Sequence, residues 1–267
     1  MIGFPNAKIN IGLNVVSKRD DGYHNLETIF YPVSWSDGLE FVIADETQLT
    51  TSGIQLEGDF ENNLIIKAYR LLKKDFDLPS LHFHLHKVIP FGAGLGGGSS
   101  DAAFTISMVN NYFKLGLSIS EMEKYASKIG ADCPFFIRNK PTFATGTGNV
   151  FHDIEINLSD YKILIAKPDV SVSTPEAYKN IIPQEPEISL TEIVKTPVEN
   201  WKNTLVNDFE KSVFQQYPQI EELKNILYQN GAVYASMSGS GSAVFGIFRH
   251  LPTDLKNKVP KGVLIYP

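Results

Sequence analysis

Residues 90–101 read Pro-Phe-Gly-Ala-Gly-Leu-Gly-Gly-Gly-Ser-Ser-Asp, with five glycines among the seven positions from Gly92 to Gly98. Glycine reaches positive φ and lets backbone amides approach a ligand with no Cβ in the way. An alternating stretch before the run, residues 81–88, predicts a strand, and an apolar stretch after it, residues 102–113, predicts a helix. Because a helix N-terminus offers unpaired N–H groups and partial positive charge, we expect the run to hold phosphate.

Other glycine-rich loops fit this run less well. A Walker loop would close on Gly-Lys-Ser or Gly-Lys-Thr, and a dinucleotide loop would follow a hydrophobic parallel-strand run, but neither feature is present. A flexible turn remains an alternative, although such a turn rarely needs five glycines. The hydroxyls of Ser99 and Ser100 could bind phosphate, and either one could reach a magnesium ion.

The rest of the chain mixes strands and helices in an order that favours an α+β fold. Short strand patterns cluster near the start instead of alternating regularly with helices. The pattern of predicted strands and connections changes beyond residue 150, which predicts a domain boundary near residue 155. Ser120 and Glu123 have capping-box spacing and predict the start of a short helix. The remaining predicted strands cover residues 7–16, 24–33, 39–43, 161–166, 232–235 and 243–248, and the helices cover residues 62–72, 120–129 and 220–230.

Composition limits the kind of partner. The 267 residues are 43% apolar with a formal charge of −6, which gives no electrostatic footprint for nucleic acid or an anionic membrane. We therefore expect a small-molecule substrate and no obligate protein partner. Cys133 is the only cysteine, so no internal disulfide can form, and a reducing compartment, the cytoplasm, is expected. Neither a signal peptide nor a membrane span is predicted.

Three spaced motifs together resemble one superfamily. They are the glycine run, Ala7-Lys8-Ile9-Asn10, and the late loop Met237-Ser-Gly-Ser-Gly-Ser-Ala-Val-Phe-Gly246. Taken in chain order, with Ala7–Asn10 first and the late loop last, they resemble the kinases of galactose, homoserine, mevalonate and phosphomevalonate, the GHMP kinases. The resemblance implies ATP as co-substrate with Mg²⁺. It also implies an ATP-binding domain over residues 1–155, a substrate-binding α/β domain over residues 156–267, and an active site in the cleft between them.

Local residues are similar to one branch of that superfamily. Arg19-Asp-Asp-Gly-Tyr-His24, the triple glycine before Ser99, and Gly130-Ala-Asp-Cys-Pro-Phe-Phe136 carry this likeness. The branch phosphorylates the 2-hydroxyl of a cytidine diphosphate-linked methylerythritol in the non-mevalonate route to isoprenoid precursors. The alternatives are a superfamily kinase acting on homoserine, a sugar or a mevalonate derivative, and a catalytically dead nucleotide-binding regulator. The presence of both Lys8 and Asp132 argues against the regulator.

Two residues are predicted to carry the chemistry. An alcohol that attacks the γ-phosphorus must lose a proton, and Asp132, followed by Pro134 and two phenylalanines, is the candidate base. Lys8 is the cation of an otherwise half-buried strand and can orient that carboxylate and offset phosphate charge. The simpler interpretations are a helix-end residue for Asp132 and an exposed strand cation for Lys8.

The resemblance assigns the remaining site residues. Tyr23 and Tyr178 are expected as aromatic walls around cytosine, with His24 bonding to its edge. Simple turn hydrogen bonding is the alternative for Asn10 and Thr174, and a compact hairpin turn is the alternative for Gly239 and Gly241. The predicted acceptor-substrate residues are Asn10, Tyr23, His24, Thr174, Tyr178, Gly239 and Gly241. The predicted ATP-binding residues are Pro90, Gly92, Ala93, Gly94, Leu95, Gly96, Gly97, Gly98, Ser99 and Ser100, with Asn63, Leu64 and Lys87 around adenine.

His82, His84 and His86 alternate along a predicted strand and would share one face. A metal site there is rejected, because no carboxylate or cysteine lies beside them and Lys87 follows directly. Alternating polar residues usually mark the solvent side of a strand, which is the interpretation we prefer.

Overall fold

The computed structural model describes residues 1–55 and 59–267. The strands, in chain order, are β1 (Ile2–Gly3), β2 (Asn6–Lys18), β3 (His24–Ser36), β4 (Gly38–Ile43), β5 (Gln48–Gly53), β6 (Leu81–Lys87), β7 (Thr142–Thr145), β8 (Val150–Asp153), β9 (Lys162–Lys167), β10 (Tyr234–Met237), β11 (Val244–Phe248) and β12 (Leu264–Tyr266). The α-helices are α1 (Leu64–Asp75), α2 (Gly97–Phe113), α3 (Ile119–Ser127), α4 (Cys133–Arg138), α5 (Thr174–Tyr178), α6 (Leu190–Ile193), α7 (Phe209–Gln216) and α8 (Pro218–Gln229).

The chain forms two compact units, and it passes between them several times. The first unit contains residues 1–8, 32–91 and 96–140. The second contains residues 9–31, 92–95 and 141–267, so the glycine run passes from the second unit to the first between Leu95 and Gly96. The mixture of helices and sheets confirms the predicted α+β class, while the domain boundary at residue 155 stays a prediction.

The first unit is a sheet covered by helices. Its strands run in the order β1-β4-β6-β5, with β5 parallel to β6 and the other pairs antiparallel. Alternation along β6 buries Leu81, Phe83 and Leu85 against the helices, as period-2 patterning requires. The sheet therefore supplies a rigid strand end at Lys87, directly before the glycine run.

The opposite face of β6 carries the three alternating histidines. Their rings hydrogen-bond to the hydroxyls of Thr50 and Ser52 on β5, at distances of 2.9–3.1 Å. This placement agrees with the polar side of a strand.

The second unit contains an antiparallel sheet in the order β10-β11-β9-β12. Its core includes Leu164, Phe209, Leu223, Met237 and Phe248. Helices α7 and α8 also contribute to that core. The loop between β10 and β11, residues 238–243, is therefore anchored at both ends by well-packed strands.

A third sheet has the order β2-β3-β7-β8. Strand β3 was predicted to end near Pro32, but it continues to Ser36. Pairing with β7 stops at Phe30, opposite Thr142. Pro32 has no N–H to donate, but no bond to β7 is lost because the pairing ends before it.

Two predicted helix starts were wrong. Helix α2 begins at Gly97 and not at residue 102, because Gly96 occupies the left-handed conformation (φ 70°) and acts as its N-cap. Helix α3 begins at Ile119, and its capping box joins Ser118 to Glu121. Since the Ser-x-x-Glu spacing occurs twice within six residues, the sequence alone allows both registers.

Among residues 1–55 and 59–267, no helix combines the length and apolar character that crossing a membrane requires.

Candidate active site

Lys8 and Asp132 face each other in the first unit. Their Nζ and Oδ2 atoms are 3.7 Å apart, and the Lys8 side chain is 5% exposed whereas that of Asp132 is 35% exposed. Burial lowers the pKa of Lys8 from its ordinary value, and the Asp132 carboxylate opposes that shift. The pair thus has an enclosed cation and a carboxylate that solvent, or a substrate hydroxyl, can reach.

Gly96 places the start of α2 directly against that pair. A Cβ at this position would lie 2.9 Å from the Phe136 ring and 3.2 Å from Cε of Lys8. Only a residue without a side chain fits so close an approach at positive φ. The first unit therefore brings together Lys8, Asp132, the buried Phe136 and the N-terminus of the helix that follows the glycine run.

Lys87 occupies a buried ion-pair network rather than an exposed position. Its Nζ contacts the carboxylates of Asp37 and Asp101, at 2.9 Å for Asp101, and all three residues are at most 3% exposed. Asp37 also accepts hydrogen bonds from the backbone N–H groups of Val88 (2.6 Å) and Ile89 (2.8 Å). This network links the end of β6 to α2, so Lys87 helps to hold the first turns of α2 in place.

Two carboxylates share this single ammonium. Burial raises the pKa of Asp101 to about 7, with Lys87 opposing the shift and Asp37 adding to it. A Cβ on Gly97 would lie 3.0 Å from Lys87 Nζ, so the first turn of α2 rests on the network.

The predicted adenine residues Asn63 and Leu64 lie at the start of α1. The Asn63 side-chain oxygen accepts from Ile65 N at 2.9 Å and caps the helix. Leu64 Cδ1 is 3.6 Å from the position of a Cβ on Gly98, so Leu64 and the glycine run are neighbours. The role of both residues toward adenine stays a prediction.

The hydroxyls after the glycines differ in access. Ser100 is fully buried and its Oγ has no hydrogen-bond partner among the described residues, whereas Ser99 is half-buried. Burial raises the pKa of the nearby Cys133 thiol to about 11, so this cysteine stays protonated and inert. The side chains of Pro90, Ala93 and Leu95 are buried, so these residues could contact a ligand only through their backbone groups.

In the second unit, Ser238 joins two of the predicted motifs. Its Oγ donates to the carbonyl of Gly94 at 2.8 Å and accepts from the backbone N–H of Asn10 at 3.2 Å. The Asn10 amide donates to Thr28 Oγ1 at 2.9 Å. A Cβ on Gly239 would lie 3.3 Å from Asn10 Oδ1, so Asn10, Gly94 and Gly239 are brought together. Gly241 has φ 90°, and a Cβ there would lie 2.7 Å from Met237 Sδ.

Of the three residues predicted to bind cytosine, His24 and Tyr178 are in contact with each other. His24 and Tyr178 stack with ring centroids 4.8 Å apart and planes at 20°. Tyr23 is 67% exposed. Burial, with a smaller effect of Lys18, lowers the pKa of His24, so the imidazole is neutral at neutral pH. Thr174 Oγ1 lies 3.5 Å from Ser240 Oγ, at the start of α5.

Sequence reasoning missed four buried polar residues around these motifs, Asp37, Asp101, Asn207 and Ser238, and the half-buried Glu210. Asp37 precedes a glycine and looks like a turn residue. Ser238 could have been found from its position inside the late motif. The roles of the other residues depend on contacts between segments that are distant in sequence.

Comparison with known proteins assigns the family. The model of the GHMP kinases N terminal domain matches residues 63–140, and that of the GHMP kinases C terminal domain matches residues 191–262. The chain belongs to the GHMP kinases and is thus a small-molecule kinase with ATP as its co-substrate.

Individual relatives are more specific. A Parabacteroides distasonis protein named 4-diphosphocytidyl-2-C-methyl-D-erythritol kinase is 57% identical over 258 residues, covering 97% of this chain and 95% of that protein. A solved 4-(cytidine 5'-diphospho)-2C-methyl-D-erythritol kinase is 29% identical with a TM-score of 0.81, covering 97% of this chain and 93% of that one. The Methanococcus jannaschii mevalonate kinase, at 15% identity and a TM-score of 0.73 over 100% of this chain and 96% of its own, shares the fold alone.

Proposed function

We propose that this protein transfers the γ-phosphate of ATP to the 2-hydroxyl of 4-diphosphocytidyl-2-C-methyl-D-erythritol, a step of the non-mevalonate route to isoprenoid precursors. The observation that carries the proposal is the 57% identity, over 97% of the chain, to a kinase named for this substrate. The Lys8–Asp132 pair beside the N-terminus of α2 is the geometry that fits it.

Asp132 acts as the general base. Its partly exposed carboxylate takes the proton of the acceptor hydroxyl as the oxygen attacks the γ-phosphorus. Lys8 holds the carboxylate in place and stabilises the charge that develops on the transferred group. Because Lys8 is buried, water screens its charge poorly, and its attraction for a nearby negative charge is stronger than at the surface.

The polyphosphate of ATP binds the backbone of the glycine run and the N-terminus of α2. Mg²⁺ supplies neutralising charge to the β- and γ-phosphates when it is bound. Ser99 fits a ligand role better than Ser100, since Ser99 is half-buried while the Ser100 hydroxyl is fully enclosed.

Cytosine is recognised by Tyr23, His24 and Tyr178. A neutral imidazole has one donor and one acceptor, which match the acceptor and amino group on the edge of cytosine. Since His24 covers one face of Tyr178, the imidazole must turn aside before cytosine can stack on that face.

Tyr178→Ala should raise KM for the cytidine-linked acceptor about 10- to 100-fold, because stacking of a base on an aromatic ring contributes about 1–3 kcal/mol. Tyr178→Phe keeps the ring and should stay within about threefold of the wild type, and KM for ATP should change little in both variants. Steady-state kinetics with each substrate varied in turn measures this. Equal acceptor KM values for the alanine and phenylalanine variants would remove Tyr178 from cytosine recognition.

The product tests the reaction itself. Purified protein with ATP, Mg²⁺ and the cytidine-linked methylerythritol should release one ADP per molecule of product. Carbon 2 carries a methyl group and no hydrogen, so a phosphate on its oxygen should appear in the phosphorus NMR spectrum without three-bond splitting by a proton. The diphosphate signals of the acceptor serve as internal reference, and a new phosphomonoester signal split by neighbouring protons would place the phosphate on another hydroxyl and contradict the proposal.

A further inference from the structure

The segment from Val206 to Glu210 fixes strand β2 in the second unit. The Leu13 N–H donates to the Val206 carbonyl, and the Asp208 N–H donates to the Leu13 carbonyl, each at 2.9 Å. The Asp208 carboxylate accepts from Val15 N at 2.7 Å. These bonds hold the part of β2 that follows Asn10.

Asn207, in the middle of the segment, uses its whole amide group. Its Nδ2 donates to the carbonyls of Met237 (2.8 Å) and Gly239 (2.9 Å), and its Oδ1 accepts from Phe209 N (3.0 Å). The residue is 2% exposed. Two donors and one acceptor are needed at this point, which an amide provides and a carboxylate does not.

Glu210 completes the contact with the late motif. Its Oε1 accepts from Met237 N at 2.8 Å and from Ser236 Oγ at 3.0 Å, and its Oε2 pairs with Lys224. The segment thereby binds the end of β10 on both sides of Met237.

Asn207 thus holds the carbonyl of Gly239, and Gly239 lies beside Asn10. A Cβ on Gly239 would be 3.3 Å from Asn10 Oδ1, so a small shift of the loop changes the space next to that amide. Nearby, Ala93 O accepts from Ala243 N at 3.2 Å, so the glycine run has a contact that does not pass through Asn207.

We propose that Asn207 is a positioning residue for the acceptor substrate, acting through the Gly239 carbonyl to fix the loop against Asn10. This inference rests on the proposed function. A buried carbonyl that loses its donor keeps the full cost of its removal from water, so the loop moves if the amide is lost.

The test is Asn207→Asp, which keeps the shape but replaces two donors by a carboxylate facing two carbonyls. We expect kcat/KM for the cytidine-linked acceptor to fall about 100-fold, while KM for ATP changes less than about threefold. Hydrogen exchange of residues 236–242 should become faster in the free protein. Asn207→Ser, which keeps one donor, should show a smaller loss and serves if the aspartate variant does not fold.

Asn230→Asp is the matched control. Asn230 Nδ2 donates to the Ile226 carbonyl at 2.8 Å at the end of α8, away from the proposed site. This variant should keep wild-type kinetics and loop exchange. The inference would be overturned if hydrogen exchange of residues 236–242 were unchanged in the Asn207 variants. It would also be overturned if exchange became faster while kcat/KM for the acceptor stayed within about threefold of the wild type. A wild type without turnover of the cytidine-linked substrate would instead refute the proposed function.

Discussion

Asp132→Asn is expected to lower the turnover number at least about 1000-fold while ATP affinity stays within a few fold. The amide has the shape of the carboxylate but cannot accept the acceptor proton, and a positioned general base contributes about 10²–10⁴-fold. The change also removes the charge opposite Lys8, 3.7 Å away, which adds to the loss. Initial rates of ADP release at saturating substrates, with nucleotide binding measured separately, give the two quantities.

Asp75→Asn is the control for this change. Asp75 lies at the end of α1 in the same unit and accepts from Tyr125 Oη at 2.6 Å on the surface. Its variant should keep wild-type turnover. If Asp132→Asn retained more than about a tenth of the wild-type rate, Asp132 would not be the base.

Gly94→Ala is expected to remove both activity and several kcal/mol of stability. Gly94 has φ 74°, and a Cβ there would fall directly on the carbonyl oxygen of Ser238, which is backbone and cannot turn away. A left-handed conformation alone costs a non-glycine residue about 1–2 kcal/mol. The overlap comes in addition, so the total loss should exceed about 4 kcal/mol, a range reached by few substitutions.

Gly92→Ala separates strain from overlap. Gly92 has φ 58°, but no atom lies within 4 Å of the Cβ position. It should therefore lose only about 1–2 kcal/mol and keep measurable turnover. Urea unfolding of the two variants makes the comparison, and equal losses would show that the contact of Gly94 with Ser238 does not matter.

The sequence predicts most of the elements, because their periodicity is strong. The alternation along β2 and β6 and the helical spacing of α1 and α8 appear as strands and helices close to the predicted bounds. The pairing of Lys8 with Asp132 was also predicted, and the two atoms lie within ion-pair distance.

Other features depend on contacts between segments that are distant in sequence. The Lys87 side chain ends between Asp37 and Asp101, which lie 50 and 14 residues away, and its position near adenine stays a prediction. Asn207 reaches carbonyls 30 and 32 residues away. Local pattern carries no information about such partners, since a buried asparagine and a turn asparagine look alike in sequence.

The start of α2 was missed for a related reason. Glycine is unfavourable inside helices, so propensity places the start after the serines. The helix begins at Gly97 because Gly96 caps it in the left-handed conformation, and Gly97 itself lies too close to Ile89 and Lys87 to carry a side chain.

Substrate selectivity is the most direct test of the proposed reaction. The purified wild-type protein, with ATP and Mg²⁺, is compared on the cytidine-linked methylerythritol, homoserine and mevalonate by initial rates of ADP release. We expect a kcat/KM at least about 1000-fold higher for the cytidine-linked compound, because in the proposed site only that acceptor has a base for Tyr23, His24 and Tyr178 to bind. Turnover of homoserine or mevalonate with no turnover of the cytidine-linked compound would contradict it.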